Sequence, residues 1–128
     1  MTLRKLTVLA IVLLFSPALF GFSFFGSNHV KSITPRELNK LMQTKDIFLV
    51  DVHIPGQRHI KGTDLMVPFN QIKWNIDKFP KDRSVPIYLY CMGGPMGYQA
   101  AMTLAELGYQ NVYNLQGGMM AWQNAGFN

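Results

Sequence analysis

The stretch IYLYCMGGPMGYQAA, residues 87–101, holds the features that decide the fold. Residues 87–90 are apolar and aromatic, as in a buried strand, and a turn rich in Gly and Pro then opens a pattern of helical period. Cys91, the chain's one cysteine, stands where the predicted strand ends. Because ligands of open α/β sheets bind at this edge, the placement favours a functional cysteine over a buried structural one.

The turn that follows the cysteine contains three glycines, Gly93, Gly94 and Gly97. Glycine lets a backbone curl tightly and leaves its N–H groups uncovered. A curl of this kind before a helix start forms a concave site for an anion. We therefore expect the sulfur to be held as a thiolate, stabilised by amide donors and by the helix terminus.

Length and composition indicate one domain preceded by a leader. The chain has 128 residues, of which 48% are hydrophobic and 15% charged. The formal charge of +5 includes Arg4 and Lys5 of the leader, and the remainder carries ten Lys and Arg against seven Asp and Glu. These basic residues are scattered rather than clustered, so no nucleic-acid binding is predicted.

Residues 1–28 are predicted to be a targeting segment. Two basic residues precede a mostly apolar stretch at 6–25, as in a secretory signal peptide. The stretch is also long enough for an uncleaved N-terminal membrane anchor. Either case places the domain of residues 29–128 outside the cytoplasm, exported or periplasmic, and in the second case anchored to the inner membrane. A single cysteine cannot form an internal disulfide there.

The rest of the chain alternates between helical and strand patterns. Thr34 and Glu37 form a capping box ahead of a first helix that buries Leu38. The other predicted elements are strands at 47–52, 66–69 and 111–115, a helix at 70–79, a helix with apolar spacing from Tyr98 to a stop at Gly108, and a last helix after 117–118 whose methionines and Trp122 belong to the core. This order predicts a small α/β domain with a mainly parallel sheet flanked by helices.

Three polar residues follow or end the strand at 47–52. A carboxylate inside an apolar run must be hydrogen-bonded, so Asp51 is expected to accept loop N–H groups near the site rather than to catalyse. His53 and His59 lie in the next loop, where solvated or hydrogen-bonded roles compete with a chemical one. Neither a second cysteine nor a carboxylate stands at ligand spacing, so no metal site is predicted.

Two parts of the chain resemble a known family. Residues 87–122, with the cysteine turn, the Ala-rich helix and the GG-x-x-AW ending at 117–122, look like the C-terminal half of a rhodanese-like sulfurtransferase domain. Residues 49–52, followed by 59–63 and 67–68, are similar to the first half of that domain. The resemblance covers about residues 33–125 and implies a single-domain rhodanese-like fold.

The resemblance implies that Cys91 takes a sulfane sulfur from a small anion such as thiosulfate, or from a persulfide, and passes it to a thiophilic acceptor such as a thiol. No metal or organic cofactor is implied. His53 stands where the family usually has Arg, and the cysteine loop lacks the family's usual Arg or Lys. The residues expected to bind the substrate are His53 and those with free loop amides: Met92, Gly93, Gly94, Met96 and Gly97.

The sequence also allows two other functions. The domain could be a non-catalytic rhodanese-like module that binds a partner or an anion. It could also be a phosphatase or arsenate reductase of related fold, but those sites use an Arg six residues after the cysteine, where this chain has Gly97. The sequence therefore favours sulfur transfer over phosphate chemistry.

Overall fold

A computed structural model describes residues 30–128 of the chain. The strands are β1 (Val30–Ile33), β2 (Phe48–Asp51), β3 (Leu65–Met66), β4 (Ile87–Tyr90) and β5 (Val112–Leu115), and the helices are α1 (Pro35–Thr44), α2 (Pro95–Glu106) and α3 (Gly118–Asn124). The strands form a parallel sheet in the order β1-β5-β4-β2-β3. The predicted α/β fold is confirmed.

The predicted targeting segment, residues 1–28, lies outside the described residues. Within residues 30–128, no helix is long and apolar enough to cross a membrane.

The predicted capping box begins α1. The Thr34 hydroxyl accepts from the Glu37 N–H at 3.1 Å, and the Glu37 carboxylate accepts from the Thr34 N–H at 2.9 Å. These hydrogen bonds lower the pKa of Glu37. One turn further on, Leu38 is fully buried beneath the helix. The prediction for this helix is confirmed.

The strand before the cysteine lies in the middle of the sheet. All four residues of β4 are buried, and the strand pairs with β2 on one side and β5 on the other. One face of the sheet carries a core that includes Val50 and Leu89, and the opposite face carries a second core that includes Leu49 and Tyr90. Both faces of the sheet are therefore covered at β4. The chain leaves the core at the carboxyl end of this strand, after Tyr90.

The structure differs from the predicted element order in three places. The edge strand β1 was not predicted, because VKSI is short and lacks a continuous apolar run. The third strand, predicted at 66–69, ends at Met66, because Pro68 cannot donate to a ladder. The Val67 N–H still donates to the Asp51 carbonyl of β2, and the Phe69 N–H donates to the Val52 carbonyl. In place of the helix predicted at 70–79, the chain forms two 3₁₀ segments, Phe69–Gln71 and Lys73–Lys78. The helical geometry is broken at Asn75.

Two predicted side-chain placements were wrong. Tyr98 keeps helical spacing with buried residues of α2, yet its side chain is 53% exposed. Of the methionines assigned to the core, Met119 is buried beside Trp122, whereas Met120 is exposed. Gly108 follows the end of α2 with a φ of +97°, so the predicted helix stop is confirmed.

Candidate active site

Cys91 is the first residue beyond the central strand β4. Its sulfur accepts a hydrogen bond from the Gly94 N–H at an N···S distance of 2.9 Å. An ionised sulfur is a stronger acceptor for such a donor than a neutral thiol. The residue is only 1% exposed.

The other loop positions predicted to bind substrate differ in their exposure and packing. Gly93 is exposed, with open space where a side chain would stand, whereas Gly97 is buried in the first turn of α2. Met92 and Met96 are partly buried and pack against the cores on opposite faces of the sheet. Among the hydrogen bonds of residues 30–128, the Gly94 amide is the one donated to the sulfur.

The start of α3 holds the cysteine turn in place. The carbonyl of Cys91 accepts from the Met119 N–H at 2.8 Å, and the carbonyl of Met92 accepts from the Met120 N–H at 3.0 Å. Gly118 makes this approach possible, because a Cβ there would lie 2.5 Å from the Cys91 oxygen. Its φ of +60° also favours glycine. The second glycine of the GG-x-x-AW ending therefore allows α3 to form its hydrogen bonds to the cysteine turn.

Asn114 supports the turn from β5, and sequence reasoning missed it. Its side-chain amide donates to the Gly94 carbonyl at 3.1 Å. Among residues 30–128, no N–H or O–H group donates to its buried Oδ1, which faces Gly97 so closely that a Cβ on that glycine would overlap it. An asparagine in a short strand gave no sequence signal for this role.

A second group of polar residues lies at the end of β2. The Asp51 carboxylate accepts from the His53 N–H at 3.0 Å, from the Gln57 amide at 3.1 Å and from the His59 Nδ1 at 2.8 Å. Its side chain is only 3% exposed, so these donors replace the water that it loses. Sequence reasoning placed no functional weight on Gln57.

His53, predicted to bind substrate, lies in a cavity of about 250 Å³ rather than in the cysteine turn. Its Nδ1 donates to the Pro55 carbonyl at 2.6 Å. Asp51 and His59 line the same cavity, but Cys91 does not. The structure thus places the predicted residues in two neighbouring groups at one sheet edge. In residues 30–128, no three His, Cys, Asp or Glu side chains are grouped so that they could hold a metal ion.

Tyr90 ties these two groups together. Its buried hydroxyl accepts from the Ile60 N–H at 2.9 Å and lies 2.8 Å from the Thr63 hydroxyl, which donates to the Ile60 carbonyl. Desolvation raises the pKa of Tyr90 to about 12. The residue before the cysteine therefore anchors the loop that carries the histidines.

Fold and site together define a class of protein: a parallel α/β domain with a cysteine thiol at the carboxyl end of its central strand, capped by a main-chain N–H. The family description "Rhodanese-like domain" matches residues 34–125. The chain belongs to the rhodanese-like domain family.

The chain is similar to proteins that transfer sulfur. It is 37% identical over 89 residues to a sulfurtransferase of Allochromatium vinosum, a match that covers 68% of this chain and 81% of the relative. It is 28% identical over 98 residues to the thiosulfate sulfurtransferase GlpE of Pseudoalteromonas translucida, covering 74% and 90%. Two further curated relatives are longer, and the matches cover 35% and 59% of their length.

A solved structure agrees with the fold. The rhodanese-like domain protein from Staphylococcus aureus superposes with a TM-score of 0.64 at 31% identity, covering 77% of this chain and 96% of that one.

Proposed function

We propose that this protein is a sulfurtransferase in which Cys91 carries the sulfur. The observation that supports it most directly is the Gly94 N–H donated to a sulfur at the carboxyl end of the central strand. In the first step the Cys91 thiolate attacks the sulfane sulfur of a donor. The donor's S–S bond breaks, sulfite leaves if the donor is thiosulfate, and an anionic Cys91 persulfide remains. The Gly94 amide is a suitable donor to either anion.

The composition of the turn points to the kind of donor. Residues 92–97 contain no Lys or Arg, and Met92 and Met96 are partly buried against the cores on opposite faces of the sheet. A missing charge-assisted contact costs about 1.5–3 kcal/mol, or roughly ten- to a hundredfold in affinity for a dianion such as thiosulfate. We therefore expect an organic persulfide, which carries one negative charge at its reacting sulfurs, to be preferred over thiosulfate.

Intact mass spectrometry tests sulfur transfer. The reduced protein is incubated with thiosulfate, with polysulfide or with glutathione persulfide, and then with cyanide. We expect one added sulfur that cyanide removes and that is absent in Cys91→Ser. If no donor adds sulfur to the wild-type protein, the proposed activity is wrong.

The donor preference has a separate test at Gly93. This position is exposed, and a Cβ added there meets no atom within 4 Å, so Gly93→Lys can add a cation to the turn. We expect thiosulfate to load Gly93→Lys faster than the neutral control Gly93→Gln, while loading by glutathione persulfide changes less. Equal thiosulfate rates in the two variants would contradict the charge argument.

A non-catalytic binding module is the second candidate function. The 1% exposure of Cys91 favours it, because a buried thiol can be a structural residue in a domain that binds a partner or an anion. A wild-type thiol left unmodified by all three donors would support this function.

The leader supports a location outside the cytoplasm. Its basic start and apolar stretch at 6–25 fit either a cleaved signal peptide or an anchor in the inner membrane. Fractionation followed by N-terminal sequencing distinguishes them, since a cleaved protein is periplasmic and lacks the leader. Recovery of the whole protein in the cytosol would overturn export.

A further inference from the structure

The cavity beside β2 contains a paired aspartate and histidine that the sulfur-loading step does not use. The His59 Nδ1 lies 2.8 Å from an Asp51 carboxylate oxygen. A carboxylate only accepts hydrogen bonds, so the ring proton of a neutral His59 belongs on Nδ1. The Nε2 lone pair is then free to take a proton. The His59 side chain is 37% exposed, whereas that of Asp51 is 3% exposed, so a fixed buried anion orients an accessible base.

This base is not directed at the cysteine. Among the described hydrogen bonds, the Cys91 sulfur has its contact with the Gly94 N–H, and Cys91 does not line the cavity of His59. The two groups are nonetheless neighbours, because the Val52 N–H donates to the Tyr90 carbonyl at 2.9 Å where the strands end. Adjacent strands lie about 4.8 Å apart. The cavity and the cysteine turn therefore open at the same edge of the sheet, at the ends of two adjacent strands.

The cavity wall suggests what that molecule is. The apolar lining residues are Ile54, Met66, Val67 and Pro68, and none of the residues between 30 and 128 that line this cavity is a Lys or Arg. Such a wall suits a neutral organic molecule better than an inorganic anion. A neutral acceptor thiol must lose a proton before it can attack a persulfide.

We propose that His59, oriented by Asp51, is the general base that deprotonates a small organic thiol acceptor; this inference rests on the proposed sulfurtransferase function. The thiol proton moves to the His59 Nε2. The resulting thiolate attacks the outer sulfur of the Cys91 persulfide, the persulfide S–S bond breaks, and Cys91 leaves as a thiolate that accepts from the Gly94 N–H. The acceptor departs as a persulfide anion, and His59 returns its proton to solvent. No oxidant or reductant is consumed.

The test compares acceptors that need a base with acceptors that do not. Alkyl thiols resemble free cysteine, with a pKa of about 8.5, and are mostly protonated near neutral pH. Sulfite and an acidic aromatic thiol are already anionic nucleophiles. Protein loaded with polysulfide is mixed with 2-mercaptoethanol, sulfite or the aromatic thiol, and loss of the added sulfur is followed by mass spectrometry.

The variant is His59→Asn, whose side-chain amide can still donate to Asp51 but lacks the base. General-base catalysis contributes about 10²–10⁴-fold, so we expect His59→Asn to discharge at least about a hundredfold more slowly to 2-mercaptoethanol while its rates with sulfite and the aromatic thiol stay within about threefold. Arg58→Gln, an exposed neighbour, is the control for loop substitutions.

A structural role would slow all three acceptors alike, and that result would overturn the inference, as would unchanged rates with every acceptor. In both cases loading and discharge of wild-type protein would still support sulfur transfer itself. If His59→Asn fails to load sulfur, His59→Gln is measured in the same way. Failure of the wild-type protein to load would instead refute the proposed function.

Discussion

Replacing Gly118 with alanine tests whether the start of α3 fixes the cysteine turn. At this position φ is +60°, and the left-handed conformation costs a non-glycine residue about 1–2 kcal/mol. The new Cβ would lie 2.5 Å from the Cys91 carbonyl oxygen and 2.7 Å from the Met92 carbonyl, both of them main-chain atoms. Moving the turn away breaks two hydrogen bonds to α3, at about 1 kcal/mol each. We expect a total loss of about 3–4 kcal/mol.

Gly126→Ala is the matched control, because it has a φ of +90° but no atom within 4 Å of the added Cβ. It should lose only the conformational part, about 1–2 kcal/mol. Urea and thermal unfolding measure both variants, and each kcal/mol should lower the melting temperature of a domain this size by about 4–8 °C. Persulfide loading should fall in Gly118→Ala and persist in Gly126→Ala. Equal destabilisation of the two variants would refute the contact between turn and helix.

Other variants address the loop anchor and the first helix. Tyr90→Phe leaves the Ile60 N–H without its partner and should cost about 1–3 kcal/mol in urea unfolding. Burial raises the pKa of Tyr90 to about 12, against about 10 when unfolded, so its stabilising effect is complete below about pH 10 and is lost as the pH rises through 12. Unfolding measured across that range should therefore show a smaller alkaline loss in Tyr90→Phe. Thr34→Ala should cost about 0.5–2 kcal/mol, and Glu37→Gln, which keeps the capping box, should cost less. Leu38→Ala should cost about 2–5 kcal/mol, measured by the same unfolding assay, because the side chain is fully buried. A smaller loss for Leu38→Ala than for Thr34→Ala would contradict the assignment of this helix face to the core.

Signals that are local in sequence predicted the fold well. The apolar run of β4, the glycine turn and the capping box each lie within a few residues, and each specifies its structure through backbone sterics or a short-range hydrogen bond. The 3₁₀ segments at 69–78 show the limit of such reasoning. Ile72 and Phe79 are buried as their spacing suggests, but burial at two positions does not require α-helical geometry between them.

The same limit explains the errors around α2. Helical spacing groups Tyr98 with Ala101, yet the face against the sheet is the one that contains Gly97, since the backbone there approaches Asn114. A glycine has no hydropathy signal, and its partner lies on another strand. The contact between Gly97 and Asn114 shows which side of α2 faces the sheet. Periodicity alone does not show this contact, and it wrongly predicted that Tyr98 lies on the buried side.

The arrangement at the sheet edge gives the two halves of the proposed reaction different surroundings. Cys91 begins a turn that is held by main-chain hydrogen bonds to α3 and by the Asn114 side-chain amide, so substitutions of exposed side chains should leave these hydrogen bonds intact. His59 is eight residues from Asp51 in sequence, across a loop rather than along a helix or strand, and its position depends on that loop being held by Tyr90. The loading of sulfur should therefore tolerate changes in the loop at 53–63 that impair its delivery to thiols. A loop substitution that abolished loading but left delivery from a preloaded protein intact would contradict this division.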